Sequence, residues 1–154
     1  MKYSYNKTYS FEVNASFGDL PKETINLMFQ DGRVASKFLE HHLPVWFPEL
    51  VFVDEKGYDH VNIQTSRKLD AKCFTKGGLT FAPSVMLGAG RQIIEQEVHD
   101  HAETIDYIAC DVVEFPKVRI RFVKGTDLVK NYPGKYCKVP FSQRENFFGE
   151  DTNE

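Results

Sequence analysis

Apolar and polar residues alternate most strictly between residues 117 and 123. Val118, Ile120 and Phe122 fall between three basic residues there, and a period of two is typical of a strand with one buried face. Residues 105–113 form an apolar run just before this segment, which predicts a neighbouring strand. The chain therefore contains a pair of strands that follow each other closely.

Periodic apolar positions predict helices on both sides of a cluster of strands. The first helix begins near Asp19 as N-cap, with Pro21 in its first turn, after an irregular or strand-like start of the chain. The second covers residues 33–42 and ends before Pro44. The other predicted elements are strands at 50–54, 58–63 and 67–74, a shaped loop at 75–90, a helix at 91–102 and a short last helix capped at 126–127. This order predicts an α/β fold with a central mixed β-sheet flanked by helices.

The chain has the size and composition of one folded domain. It has 154 residues, 42% of them hydrophobic and 14% aromatic, and it contains no internal repeat, low-complexity stretch or linker. We therefore expect a single domain over residues 1–154, with its core at about 19–130. The acidic end, residues 144–154, is expected to be irregular and frayed.

Cysteine spacing and hydropathy exclude several classes of protein. The three cysteines lie far apart without a CxxC pair, which is typical of neither a disulfide-stabilised fold nor a zinc module. No segment has the length and composition of a signal peptide or a membrane span. We therefore expect a cytoplasmic protein without a membrane partner.

Charge is unevenly distributed along the chain. The formal net charge is -3, but residues 117–138 hold seven Lys or Arg against one acid, Asp127. A basic segment of this kind can bind phosphate locally although the whole chain is acidic. The alternative interpretation is the solvated face of a strand, which needs no function.

Two acidic residues and a lysine are predicted to meet where two strands lie side by side. Asp70 and Lys72 are two residues apart on the strand 67–74, so they point to the same face. Asp59 opens the preceding strand, 58–63, and brings a second carboxylate to that point. Carboxylates hold Mg²⁺, which retains several waters, and a nearby Lys can orient such a water for attack on a phosphodiester. The alternative is an exposed Asp–Lys pair on an edge strand.

The spacing of this cluster resembles the catalytic core of a known superfamily. Asp59, ten intervening residues and then Asp-Ala-Lys at 70–72 resemble the motif of the PD-(D/E)xK nucleases, which include the type II restriction endonucleases. A loop, a helix and two strands follow in the same order, so the resemblance covers residues 33–130. It implies a restriction endonuclease-like fold and a Mg²⁺-dependent nuclease.

The resemblance also implies a role for each residue of the motif. Asp59, Asp70 and the carbonyl of Ala71 would bind one or two Mg²⁺ ions, for which Mn²⁺ can substitute. Lys72 would position the attacking water. In many relatives a Glu on the preceding helix adds a further acidic group, and Glu40 occupies that place here.

The implied activity is hydrolysis of phosphodiester bonds in double-stranded DNA by a sequence-specific endonuclease of the type II restriction kind. A subunit with one such centre would cut both strands most simply as a homodimer, whose two-fold symmetry matches a palindromic site. Phage-encoded or homing endonucleases and structure-specific repair enzymes or resolvases use the same centre and stay open. Two non-catalytic alternatives also stay open: a nucleic-acid-binding domain that uses the basic segment 117–138, and a structural domain.

Five residues are candidates for contacts with DNA. Arginine suits bidentate recognition of guanine, and glycines in a loop let the backbone approach phosphate closely. The candidates are Lys76, Ser84 and Arg91 in or beside the loop 75–90, and Arg119 and Arg121 on the strand 117–123. The alternatives are a flexible connector for the loop and solvated strand positions for the two later arginines.

Overall fold

A computed structural model of the chain describes residues 2–149. None of the helices in this range has the length and apolar composition needed to cross a membrane. In chain order the elements are β1 (Thr8–Glu12), α1 (Lys22–Met28), α2 (Gly32–Trp46), β2 (Leu50–Glu55), β3 (Tyr58–Asn62), β4 (Lys68–Phe74), β5 (Leu79–Thr80), a 3-10 turn (Ser84–Met86), α3 (Glu95–Ala102), β6 (Asp106–Asp111), β7 (Lys117–Lys124), α4 (Gly125–Asn131), β8 (Lys138–Val139), a second 3-10 turn (Phe141–Gln143) and α5 (Arg144–Phe148).

The large sheet is mixed, and its six strands have the order β1-β7-β6-β4-β3-β2. β4 and β6 run parallel, and the other neighbouring pairs are antiparallel. A parallel pair needs a long crossover connection, which here contains α3. The prediction of an α/β fold with a central mixed β-sheet flanked by helices is confirmed at this level.

Each face of the large sheet carries its own apolar core. On one face, Leu39 of α2 packs in a cluster that includes Leu69 of β4. On the other face, Val98 of α3 packs in a second cluster that includes Phe74 of β4. Because successive side chains of a strand alternate between faces, the even-numbered residues of β4 point towards the side that carries α3.

Helix α2 continues past Pro44, which the sequence pattern predicts to end it. The helix runs to Trp46 with the proline in its last turns. Because proline has no N–H, the carbonyl of Glu40, four residues earlier, has no helical partner. Nε2 of His60 lies 2.7 Å from that carbonyl oxygen and takes the missing place. The predicted boundary is wrong because a side chain from a strand replaces the lost helical hydrogen bond.

Other helix boundaries also differ from the predicted ones. The N-cap of α1 is Pro21 and not Asp19. Helix α3 begins at Glu95, four residues later than predicted. Helix α4 begins at Gly125, where a Cβ would lie 2.0 Å from the carbonyl oxygen of Ala102. Only glycine fits so close an approach, and packing against α3 therefore decides where this helix begins.

The last described segment of the chain is folded. β8 pairs with β5 in a small antiparallel sheet, and α5 follows. Phe147 and Phe148 of this helix are buried in the core on the α3 side of the large sheet. The prediction of a frayed end from residue 144 is therefore wrong as far as residue 149, and residues 150–154 lie outside the described residues.

Candidate active site

A cleft of 580 Å³ opens where helix α2, the hairpin of β2 and β3, the turn at 83–86 and helix α3 meet. Its lining is strongly acidic, because six Asp or Glu residues face two Lys. Three of these acids belong to the predicted site. The six acids are Glu40, Asp54, Glu55, Asp59, Asp70 and Glu97.

Lys72 lies beside this acidic cleft as the partner of Asp70. Its Nζ is 3.3 Å from Oδ2 of Asp70, and the two side chains are 12% and 15% exposed. Their strand, β4, lies between β3 and β6 and not at an edge of the sheet. The pair is therefore largely buried, which the alternative interpretation of an exposed edge-strand pair does not predict.

The surroundings of Asp70 disfavour its charged form. Burial raises the pKa of Asp70 to about 7, while Lys72 lowers it and the carboxylate of Asp59 raises it. The single ammonium of Lys72 therefore does not compensate the loss of water around the two carboxylates. A divalent cation at this point would stabilise the deprotonated form of Asp70.

Asp59 lies where the ladder between β3 and β4 opens. The two strands pair over residues 60–61 and 68–69. Beyond that point, the backbone N–H of Ala71 donates to Oδ1 of Asp59 at 3.0 Å. The N–H and C=O of one strand residue point to the same edge, so the Ala71 carbonyl also faces β3. The structure brings this carbonyl and the carboxylates of Asp59 and Asp70 to neighbouring positions.

Glu40 reaches the acidic cleft from helix α2. Its Oε2 is buried and lies 3.2 Å from Nζ of Lys37, but this contact lacks the geometry of a hydrogen bond, and no other described residue donates to that oxygen. A buried carboxylate oxygen without a hydrogen bond is costly. A cation or a metal-bound water in the cleft would satisfy it.

The donor set of the cleft suits Mg²⁺. Residues 2–149 contain no group of three or more His, Cys, Asp or Glu side chains arranged to hold a metal ion. Mg²⁺ does not need such a group, because it keeps several waters and binds through one or two carboxylates and the phosphates of a substrate. Asp59 and Asp70, with the Ala71 carbonyl beside them, provide that kind of incomplete set.

The candidates for DNA contacts in the loop have different positions. Ser84 lines the acidic cleft. Arg91 is exposed, and its Nη1 donates to the carbonyls of Ser84 at 3.3 Å and Leu87 at 3.1 Å, so it stabilises the turn that carries Ser84. Lys76 is exposed and lines a separate concavity of 340 Å³ beside α1. The structure therefore brings Ser84 to the site and places Lys76 away from it.

The two arginines of β7 are engaged inside the fold. The Arg119 side chain is 9% exposed and pairs with Asp111 at 2.9 Å and with Glu145 at 3.0 Å. Nη1 of the half-buried Arg121 donates to Oγ1 of Thr8 at 2.9 Å. The solvated strand face that alternation predicts is therefore covered, and we assign neither guanidinium to a contact with DNA.

Two histidines outside the motif shape the acidic cleft. His60 is fully buried, and its ring nitrogens lie 2.6 Å from Oδ1 of Asp59 and 2.7 Å from the carbonyl oxygen of Glu40. Nε2 of His101 lies 2.9 Å from the carbonyl oxygen of Gly57 in the turn between β2 and β3. Sequence reasoning missed both, because their partners come from segments that only the fold brings together.

Comparison with known proteins leaves the family open. No protein-family model, curated protein or solved structure matches the chain. The resemblance to PD-(D/E)xK nucleases therefore stays a prediction, and the α/β architecture is described from the structure alone.

Proposed function

We propose that the protein is a Mg²⁺-dependent endonuclease that hydrolyses phosphodiester bonds in double-stranded DNA. The observation that carries the proposal is that Asp59 and Asp70, from two neighbouring strands, line one acidic cleft, with Lys72 paired to Asp70 beside it. The order of the elements also supports it, because α2 precedes the strands β3 and β4, and a loop region, α3 and the two strands β6 and β7 follow them, as the resemblance implies.

Each residue has a role that its surroundings support. Asp59, Asp70 and the Ala71 carbonyl would hold the metal ion, and Glu40 would accept a hydrogen bond from one of its waters. A bound Mg²⁺ would stabilise charge on the phosphate and lower the pKa of a coordinated water. Lys72 would orient the attacking water, whose oxygen bonds to phosphorus as the bond to one sugar oxygen breaks. The reaction consumes one water and leaves a phosphate at one end and a hydroxyl at the other.

The charge of the cleft makes both binding and cleavage depend on the metal ion. Six acids and two lysines line it, so an anionic phosphodiester is repelled until a divalent cation lowers the negative potential. This dependence separates the proposal from a non-catalytic nucleic-acid-binding domain, which would bind through a basic surface without metal. The side chains of Arg119 and Arg121 are engaged inside the fold, so such a surface would consist of the five exposed lysines of the segment 117–138.

The finer function is a sequence-specific enzyme of the type II restriction kind that acts as a homodimer. One centre for each 17.8 kDa subunit cuts one strand, so a duplex break needs two subunits related by two-fold symmetry. A phage, homing, repair or resolvase enzyme of the same chemistry would differ in the substrate that it selects.

Incubation of the purified protein with mixed-sequence duplex DNA and Mg²⁺ tests the proposal, beside an EDTA control and an Asp70→Asn variant. We expect discrete fragments from the unmodified protein alone. A smear, or cleavage confined to branched substrates, would support a metal-dependent nuclease but contradict the sequence-specific, restriction-like selectivity. Equal binding of DNA by both proteins in EDTA, without cleavage in Mg²⁺, would overturn the nuclease and favour a binding domain.

A further inference from the structure

One buried histidine connects the helix that carries Glu40 to the strand that carries Asp59. Pro44 leaves the carbonyl of Glu40 without its helical hydrogen bond, and Nε2 of His60 lies 2.7 Å from that oxygen. A carbonyl oxygen only accepts, so Nε2 carries a hydrogen. This end of the imidazole is therefore fixed to helix α2.

The other end of the same ring contacts Asp59. Nδ1 of His60 lies 2.6 Å from Oδ1 of Asp59, and the N–H of Ala71 donates to the same oxygen at 3.0 Å. Because Nε2 already carries one hydrogen, this contact requires a second one between Nδ1 and Oδ1, which makes it a charge-assisted hydrogen bond. The orientation of the Asp59 carboxylate is therefore determined from two directions, by the ring and by strand β4.

The ring itself has no freedom to move. His60 is 0% exposed, and its ring lies 5.8 Å from that of Phe52 in an edge-to-face arrangement. Both nitrogens are occupied, so a rotation of the ring would leave the Glu40 carbonyl without a donor and Oδ1 of Asp59 with the Ala71 N–H alone. The imidazole is a rigid connection between two acidic residues of the cleft.

We propose that His60 is a positioning residue that fixes the Asp59 carboxylate, and its distance from the Glu40 helix, in the geometry that binds the divalent cation. The inference rests on the proposed function, because it concerns the metal site of that function. Residues that hold a metal ligand through a hydrogen bond typically alter metal affinity by about 10- to 100-fold when they are replaced. His60 therefore acts on metal binding through Asp59 and does not touch the substrate.

Two substitutions separate the ends of the ring. The amide of Asn reaches the position of Nδ1, so His60→Asn retains a donor towards Asp59 and loses the contact with α2. The longer Gln reaches the position of Nε2, so His60→Gln retains the contact with Glu40 and loses the donor to Asp59. We expect His60→Gln to weaken the affinity for Mg²⁺ about tenfold or more, and His60→Asn to stay within about threefold of the unmodified protein.

Calorimetric titration of the full chain with Mg²⁺, without DNA, gives the affinity, and thermal unfolding in EDTA reports the fold. In cleavage assays we expect His60→Gln to need more Mg²⁺ for half-maximal rate while kcat at saturating Mg²⁺ stays close to that of the unmodified protein. A merely structural histidine would lower the unfolding temperature of both variants and leave the Mg²⁺ affinity of each folded protein unchanged, which would overturn the inference.

Nuclear magnetic resonance of the unmodified protein tests the same inference without a substitution. With ¹⁵N-labelled histidine, we expect the Nδ1 signal of His60 to shift as Mg²⁺ is added, and the midpoint of this shift to give the same affinity as calorimetry. In Asp70→Asn we expect no shift. If the unmodified protein binds Mg²⁺ and this signal does not respond, the role of His60 is wrong while the proposed function stands. If the unmodified protein does not bind Mg²⁺, or if Asp70→Asn binds it equally well, the proposed function itself fails.

Discussion

Two charged regions of this protein are built in opposite ways. The Arg119 network, which consists of Asp111, Glu114, Arg119, Arg144 and Glu145, pairs each of its charges with an opposite one. Arg119 contacts Asp111 and Glu145, and Arg144 contacts Asp111 and Glu114, at distances from 2.9 to 3.2 Å. The acidic cleft, in contrast, gathers six acids around two lysines.

The difference teaches how to interpret the charge pattern of the chain. In the Arg119 network, the buried carboxylate of Asp111 contacts both arginines, and each arginine also contacts one exposed acid, so every buried charge has an opposite partner. In the acidic cleft, acids outnumber cations: Lys37 and Lys72 pair with Glu40 and Asp70, but burial and the carboxylate of Asp59 still raise the pKa of Asp70. Two arginines of the basic segment 117–138, Arg119 and Arg121, are therefore engaged inside the fold, and the candidate site lies in an acidic region.

The largest expected effect is the loss of activity in Lys72→Ala. Removal of one group that stabilises developing charge typically lowers kcat by about 100- to 1000-fold. The matched control is Lys68→Ala, because Lys68 lies on the same strand but is exposed above the ring of Tyr58. Cleavage rates at saturating Mg²⁺ measure both, and equal rates for the two variants would remove Lys72 from the site.

Replacement of Arg119 is expected to act on stability instead of activity. Arg119→Met leaves Asp111, which is 1% exposed, with one of its two cationic partners. Breaking a buried pair in this way typically costs about 3 kcal/mol, or about 6–12 °C in Tm for a chain of this size. Arg33→Met is the control, because its side chain is 91% exposed, and we expect its Tm to stay close to that of the unmodified protein.

Thermal unfolding and DNA binding together decide this second prediction. The activity of folded Arg119→Met, and the dependence of its DNA affinity on salt, should equal those of the unmodified protein. If the DNA affinity of Arg119→Met depended less on salt and its Tm were unchanged, Arg119 would contact DNA. The Arg119 network would then bind a ligand, as the acidic cleft is proposed to do.

The pH dependence of metal binding should report Asp70 directly. Its pKa is raised to about 7, and Mg²⁺ must replace the proton on the protonated carboxyl. The affinity for Mg²⁺ should therefore increase by up to about tenfold per pH unit below 7 and level off above it. Calorimetric titration with Mg²⁺ from about pH 5.5 to about pH 8.5 measures this dependence. The control is Asp54→Asn, because Asp54 is an exposed acid of the same cleft, and this variant should show the same change of Mg²⁺ affinity with pH.

The smallest effect is expected at the exposed end of the Arg119 network. The Glu145 side chain is 72% exposed, and an exposed ion pair contributes about 1 kcal/mol or less. Glu145→Gln should therefore lower Tm by about 4 °C at most, and 1 M NaCl should reduce the difference. A larger loss that persists in salt would mean that Glu145 matters through contacts other than its charge.

Much of the fold could be predicted because strand and helix patterns are local. The alternation around Asp70 places this residue and Lys72 on one face of β4, as predicted, and the order of helices and strands predicts a mixed sheet. The boundary at Pro44 could not be predicted, because a histidine sixteen positions later replaces the missing hydrogen bond. Local rules describe the hydrogen bond that a proline removes from its own helix. They do not describe a hydrogen bond that a side chain from another element supplies in its place.

The sequence by itself determined which residues of β4 and β7 share a face, since the period of two follows from the geometry of an extended chain. Only the tertiary structure decided what covers each face. The even-numbered face of β4 opens beside Asp59 in the acidic cleft, whereas helix α5 covers Arg119 with Glu145 and the ring of Phe148. Identical alternation therefore leads to a candidate site on one strand and a closed ionic network on the other, because burial depends on contacts between segments far apart in the chain.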